Sequence, residues 1–242
     1  MRVNGVELES REIAGAEPAL VFLHEGLGSV GLWREFPRRL AAATGRRALV
    51  YSRAGHGQSD VPGEDRTPRF MHEEALEVLP ELLRSAHIEL PVLVGHSDGG
   101  SIALIHASRH PVSGLVLLAP HVFVEDITVA SIEEARETFA ITDLGERMAR
   151  HHRDPERTFR LWNDIWLAPE FRAWNIEDVL PGVTAPALLI QGEHDQYGTL
   201  AQIEAIERGI GGRVTRAVLD ARHAPHVEAP EETLDAAVAF LA

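Results

Sequence analysis

The sequence predicts an α/β fold, a mostly parallel sheet covered by helices on both faces, with a small helical cap insertion. Three observations predict it. Short apolar runs rich in Val, Leu and Ile recur along the chain; they alternate with longer segments of helical periodicity; and the alternation stops once, from about residue 122 to 182, before it resumes. Continuous apolar runs mark strands buried on both faces, and parallel strands need helical crossovers to connect them. A chain of 242 residues suits one domain with a modest insertion.

Taken in order, Val3 to Ile13 carries an Asn4-Gly5 step between extended stretches, which predicts an opening hairpin. Buried strands follow at Ala19 to His24, Arg47 to Ser52, Pro91 to His96, Gly114 to Ala119, Ala187 to Gln191 and Arg213 to Leu219. These six suit a doubly wound sheet. Trp33 to Ala43 and Gly99 to Arg109 place apolar residues at three- and four-residue spacing, as helices on a sheet do. Thr67-Pro68 reads as an N-cap followed by proline at the first helical position, opening a helix towards Ser85 that Pro80 should kink or split. The block from Val122 to Gly182 is polar and helix-prone and holds Trp162, Trp166 and Trp174, three of the four tryptophans. Because it interrupts the sheet, it is expected to form a cap over the sheet's carboxyl edge. The organisation is then a core of residues 1–121 and 183–242 with a helical cap at 122–182.

Composition excludes several function classes. Lys plus Arg number 23 against 37 Asp plus Glu, a net charge of −14, which repels nucleic-acid backbones and anionic membrane surfaces alike. Zero cysteines remove disulfides, thiolate nucleophiles and zinc fingers. None of the 13 histidines forms an HExxH pair, and no metal site is expected. The apolar runs fall far short of a bilayer span and Met1-Arg2-Val3-Asn4 opens no signal peptide, so a cytoplasmic location is the expectation.

Gly95-His96-Ser97-Asp98-Gly99 fits G-x-S-x-G and lies between a strand and a helix. Glycines there permit a sharp turn, which holds the serine at the helix N-terminus, and the N–H of Asp98 can face a developing oxyanion. A serine hydroxyl needs a base and a group to orient that base. Asp195, in Gly192-Glu193-His194-Asp195, and His223, in Arg222-His223-Ala224-Pro225-His226, follow the last two strands and supply both. Their competitors are Glu193, His194, Glu125 and Asp126 for the acid, and His226 for the base.

These residues resemble the α/β-hydrolase superfamily, whose chain order Ser, Asp, His is met by Ser97, Asp195 and His223. The resemblance runs from about Pro18 to Phe240. It also rests on His24-Glu25-Gly26-Leu27-Gly28-Ser29 and on Ser52-Arg53-Ala54-Gly55-His56-Gly57-Gln58-Ser59. It implies an oxyanion hole shared between the N–H of Asp98 and one from the first loop, Leu27 before Gly26, although Glu25 stands where the common pattern is His-Gly. It further implies that Arg53, His56 and Ser59 shape the fold rather than perform chemistry. Asp98 departs from the usual apolar or amide residue; its side chain should turn away from the oxyanion and bond Arg53 or His72.

The expectation is a cofactor-free serine hydrolase acting on a small carboxylic ester or lactone, with His24, Trp162, Trp166 and His226 as candidate pocket residues. The same triad would serve a C–C bond hydrolase of a ring-cleavage diketone, a thioesterase or a perhydrolase. A non-catalytic ligand-binding protein on the same fold is the alternative from another class.

Overall fold

The computed structural model describes residues 1–242. Its strands are β1 (Arg2–Val3), β2 (Val6–Glu7), β3 (Ser10–Ile13), β4 (Ala16–Leu23), β5 (Arg46–Tyr51), β6 (Val92–His96), β7 (Gly114–Leu118), β8 (Ala187–Gly192) and β9 (Val214–Leu219). The α-helices are α1 (Phe36–Thr44), α2 (Phe70–Glu73), α3 (Leu79–Ser85), α4 (Asp98–Ala107), α5 (Asp126–Ile141), α6 (Leu144–Met148), α7 (Pro155–Trp166), α8 (Ala201–Gly209), α9 (Pro225–Glu228) and α10 (Pro230–Leu241).

The main sheet has seven strands in the order β3-β5-β4-β6-β7-β8-β9, with every neighbouring pair parallel except β3 with β5. Alternate side chains of the central strands enter two cores. Ala19, Val21 and Leu23 join one, Leu20 and Phe22 the other, as the two-residue period of a strand requires. Apolar burial of this kind contributes about 1.5–3 kcal/mol for each large aliphatic or aromatic side chain. The smaller core lies under α1 and α10 and contains Trp33, Phe36, Leu40 and Ala237; the larger lies under α2 to α4 and α8 and extends to Trp162 and Trp166.

The six expected strands all form, within three residues of their expected ends, but the start of the chain differs. Asn4 and Gly5 both take positive φ, 49° and 84°, and close a tight hairpin that pairs only β1 with β2. The chain then leaves the hairpin, and β3 adds a seventh strand at the edge of the main sheet. The adjacent exposed residues Arg11 and Glu12 conceal this edge strand from a search for continuous apolar runs.

The helix expected from Thr67 starts at Phe70, because Thr67 forms a turn instead: its Oγ1 accepts from the Arg69 N–H at 3.2 Å and its carbonyl from Phe70. Pro80 neither ends nor sharply breaks the helical run. It occupies the second position of α3, and a π-helical turn over Glu74–Val78 precedes it, in which the Leu79 N–H reaches the Glu74 carbonyl. A wider turn accommodates both the missing proline donor and the clash of its ring with the preceding turn.

Between β7 and β8 the chain forms α5, α6, α7 and two short 3₁₀ turns, Pro169–Ala173 and Glu177–Gly182, and contributes no strand to the sheet. Asp154 caps α7 by accepting from the Arg157 N–H at 2.9 Å, with Pro155 at the first helical position. That start phases Trp162 and Trp166, four residues apart, onto one face. No helix is long and apolar enough to cross a membrane.

Candidate active site

The chain reverses direction across the sheet at β4, whose neighbours are β5 and β6, and the carboxyl ends of β4 and β6 therefore open a crevice. The loop of Glu25 leaves β4 there, and Ser97 leaves β6. Ser97 takes φ 53° and ψ −118°, an unfavourable backbone for a residue with a Cβ, and its O–H stands at the first turn of α4. The turn is tight enough that a Cβ on Gly99 would collide with the carbonyl oxygen of Leu23, so the last glycine of the motif is required by the approach of α4 to β4.

Ser97 Oγ donates to His223 Nε2 at 3.0 Å, and His223 Nδ1 donates to Asp195 at 2.8 and 2.9 Å. Asp195 also accepts from the Tyr197 N–H at 2.8 Å and from Gln191 Nε2 at 2.7 Å. Burial pushes the Asp195 carboxyl up, but the charge and hydrogen bond of His223 and the Tyr197 N–H together hold it below the ordinary aspartate value. Two of the competitors for the acid are engaged elsewhere. Glu125 binds the Thr199 N–H and hydroxyl and Gln202, and His194 pairs with Asp220 at the surface.

The loop after β4 is held by its carbonyl oxygens. His24 O accepts from Arg53 Nη1 at 2.5 Å; Glu25 O from Arg53 Nη2 at 3.0 Å and His24 Nδ1 at 2.6 Å; Gly26 O from His56 Nε2 at 3.0 Å; and Leu27 O from His152 Nε2 at 3.1 Å. Four successive carbonyls are thus tied down. The N–H groups of Gly26 and Leu27 make no hydrogen bond within the chain, and the Asp98 N–H heads α4, where a helix offers no acceptor. A Cβ on Gly26 would strike the Trp162 indole, so the loop lies directly against α7.

A cavity of about 100 Å³ opens onto Ser97 and His223, walled by Leu27, Trp162, Trp166, Tyr197 and His121. Burial, followed by the nearby His223, lowers His121 to about 3, so its ring is neutral. Glu25 also reaches this cavity.

Of the expected pocket residues, Trp162 and Trp166 line the cavity and two do not. His24 is fully buried behind the loop, where its Nε2 accepts from the Arg53 N–H at 3.0 Å. His226 packs on Trp33, Phe36 and His96, away from the cavity. Asp98 does turn away: Trp166 Nε1 donates to its Oδ1 at 3.2 Å and Arg53 lies 3.6 Å from its Oδ2, while His72 is not a partner. Burial raises the Asp98 carboxyl in spite of Arg53 and Arg66. Sequence reading missed His121, Tyr197 and the pairing of Glu25 with His96; only Glu25 carried a signal, as an extra residue within a glycine loop.

Comparison with known proteins agrees with this architecture. The sequence profile of the Alpha/beta hydrolase family matches residues 20–236. The chain is 25% identical to human serine hydrolase BPHL over 254 residues, covering 99% of this chain and 84% of that protein. It is 27% identical to 3-oxoadipate enol-lactonase 1 of Acinetobacter baylyi over 247 residues, covering 92% and 89%. The crystal structure of the enol-lactonase from Burkholderia xenovorans LB400 superposes with a TM-score of 0.77 at 24% identity, covering 99% of this chain and 98% of that one. The match spans most of the sequence, and the chain belongs to the alpha/beta hydrolase family.

Proposed function

We propose that this chain is a serine hydrolase that cleaves a small carboxylic ester or lactone through an acyl-enzyme, using only its own side chains and water. The observation that carries the proposal is the continuous line Ser97 Oγ, His223, Asp195 beside unpaired N–H groups. His223 Nε2 takes the Ser97 proton as Oγ attacks the carbonyl carbon, and Asp195 steadies the imidazolium that forms. The carbonyl oxygen, now an oxyanion, accepts from the Asp98 N–H and from Leu27 or Gly26. Collapse expels the alkoxide, which takes the proton from His223. Water activated by His223 then attacks the acyl-enzyme and frees Ser97.

The cavity's volume of about 100 Å³ favours a compact acyl group or ring. Trp162, Trp166 and Tyr197 favour apolar or aromatic surface on it. The helices of residues 122–182 act as the cap, since α7 supplies two of these walls. The name of the Acinetobacter relative supports a lactone within the class.

The test is steady-state kinetics on matched short-chain esters, lactones, thioesters and a ring-cleavage diketone. Turnover is expected on short esters or lactones and should fall as the acyl chain lengthens. Diketone turnover with no ester or lactone turnover would replace this reading by carbon–carbon hydrolysis. A stoichiometric burst without turnover would replace it by ligand binding.

A further inference from the structure

The residue before the nucleophile has no part in the chemistry above, yet it is among the most constrained in the site. His96 is 2% exposed. Its Nδ1 lies 3.3 Å from Glu25 Oε2, and its Nε2 lies 2.7 Å from the backbone carbonyl of His223. A carbonyl oxygen only accepts, and so does a carboxylate; a ring that bonds both must donate from both nitrogens, which makes it an imidazolium. His56 also faces two carbonyls, but burial, followed by the charges of Arg66 and Arg53, holds its ring well below the ordinary value, and no carboxylate bonds it.

We propose that Glu25 and His96 are positioning residues: the Glu25 carboxylate holds the His96 imidazolium, which holds the His223 carbonyl, so that the oxyanion loop and the base loop are braced against each other through the nucleophile turn. The proposal rests on the serine-hydrolase reading. It gives a purpose to the glutamate that interrupts the usual His-Gly loop. One carboxylate–imidazole pair, Asp195 with His223, orients the base by its ring; the second orients it by its backbone.

The groups facing His96 come from four other elements. Glu25 comes from the loop after β4 and Asp195 from the loop after β8; His223 and His226 flank the start of α9; and His121 follows β7. Burial opposes the His96 charge, but the Glu25 hydrogen bond and charge, the His223 carbonyl and Asp195 outweigh it and raise His96 above its ordinary value. Glu25 is held well below the usual carboxylate range, because His96 outweighs the effect of burial. His226 is lowered to about 3, chiefly by burial, and adds no competing charge at neutral pH.

The experiment has two arms. Imidazole ¹⁵N spectra of the folded wild-type protein at pH 7.5 should show His96 protonated on both nitrogens, and Glu25→Gln should render it neutral. This arm needs no turnover, and a neutral His96 in the wild type would overturn the proposal even if the protein proves an active esterase. In the second arm, kcat/KM against pH on the best ester should show an alkaline limb that Glu25→Gln shifts down by about one pH unit or more. It should also lower kcat by about tenfold with KM changed less than about threefold. His96→Gln, which keeps an amide donor near the His223 carbonyl but cannot titrate, should abolish that limb, and adding Glu25→Gln to it should cost nothing further. Superimposed profiles for wild type and Glu25→Gln, or fully additive losses, would overturn the coupling. Thermal unfolding identifies any variant that fails to fold, and the wild-type spectrum then decides. If no ester or lactone is turned over, the functional reading fails while the spectra still settle the pair.

Discussion

Ser97 holds a positive φ of 53° that its side chain disfavours, and the surrounding turn leaves no freedom to relax it, since Gly99 already touches β4. On the proposed mechanism Ser97→Ala lowers kcat/KM by about 10⁴-fold or more, and Asp195→Asn by about 10³- to 10⁴-fold by leaving His223 in the wrong tautomer. Both are read by ester hydrolysis with folding checked by circular dichroism. Asp98 behaves differently. Its carboxylate serves Trp166 and Arg53 and faces away from the reacting carbonyl, so Asp98→Asn should keep turnover within about tenfold, roughly 1.4 kcal/mol. The same change should lower stability by about 2 kcal/mol in urea unfolding, because it leaves the fully buried Arg53 without its counter-charge. A complete loss of activity would show that the side chain takes part in the chemistry. The Trp166 partner of Asp98 was beyond sequence reading: the two lie 68 positions apart, and only the docking of α7 joins them.

The loop after β4 shows how an element is made rigid without regular structure. Its carbonyls from His24 to Leu27 are taken by Arg53, His24, His56 and His152, while the Gly26 and Leu27 N–H groups make no bond within the chain. Arg53→Lys cannot bridge two carbonyls with one planar fork, so it should lower kcat by about 10- to 100-fold while leaving KM within about threefold, measured on a short ester. Equal loss in kcat and gain in KM would argue that the loop binds substrate rather than the oxyanion. Central strands were legible because both faces are buried and their residues run apolar without a break, as in Leu115-Val116-Leu117-Leu118. The edge strand β3 was not, since the adjacent Arg11 and Glu12 are both exposed and break the run. Pro80 was expected to kink or split its helix, whereas the π-helical turn before it absorbs the proline, and that turn depends on packing that periodicity does not encode.

At the scale of the whole molecule, the fold converts three distant segments into one site because β6, β8 and β9 end at the same edge. The order of Ser97, Asp195 and His223 was legible for that reason, whereas His121 and Tyr197, which wall the cavity, follow from the convergence and carry no motif. Buried neutral histidines give the molecule a pH dependence. His106 is lowered to about 4 and His121 and His226 to about 3, chiefly by burial, and the same cause lowers His24, His56, His72 and His152. The unfolded chain binds protons below about 6.5 that these folded groups refuse, so their stability is complete above that value and is lost as pH falls towards the folded values. His96, Asp98 and Glu74, all raised, act in the opposite sense. The seven lowered histidines outweigh them, and the urea midpoint should be lower at pH 5 than at pH 7.5; an unchanged or higher midpoint would show that these rings are solvated.

The most direct test of a hydroxyl activated at the end of β6 is reaction with a fluorophosphonate followed by mapping of the adduct by mass spectrometry. One adduct on Ser97, absent from Ser97→Ala and formed far more slowly by His223→Ala, is the predicted result. Stable labelling at another residue, or none in the folded wild-type protein, would contradict the account.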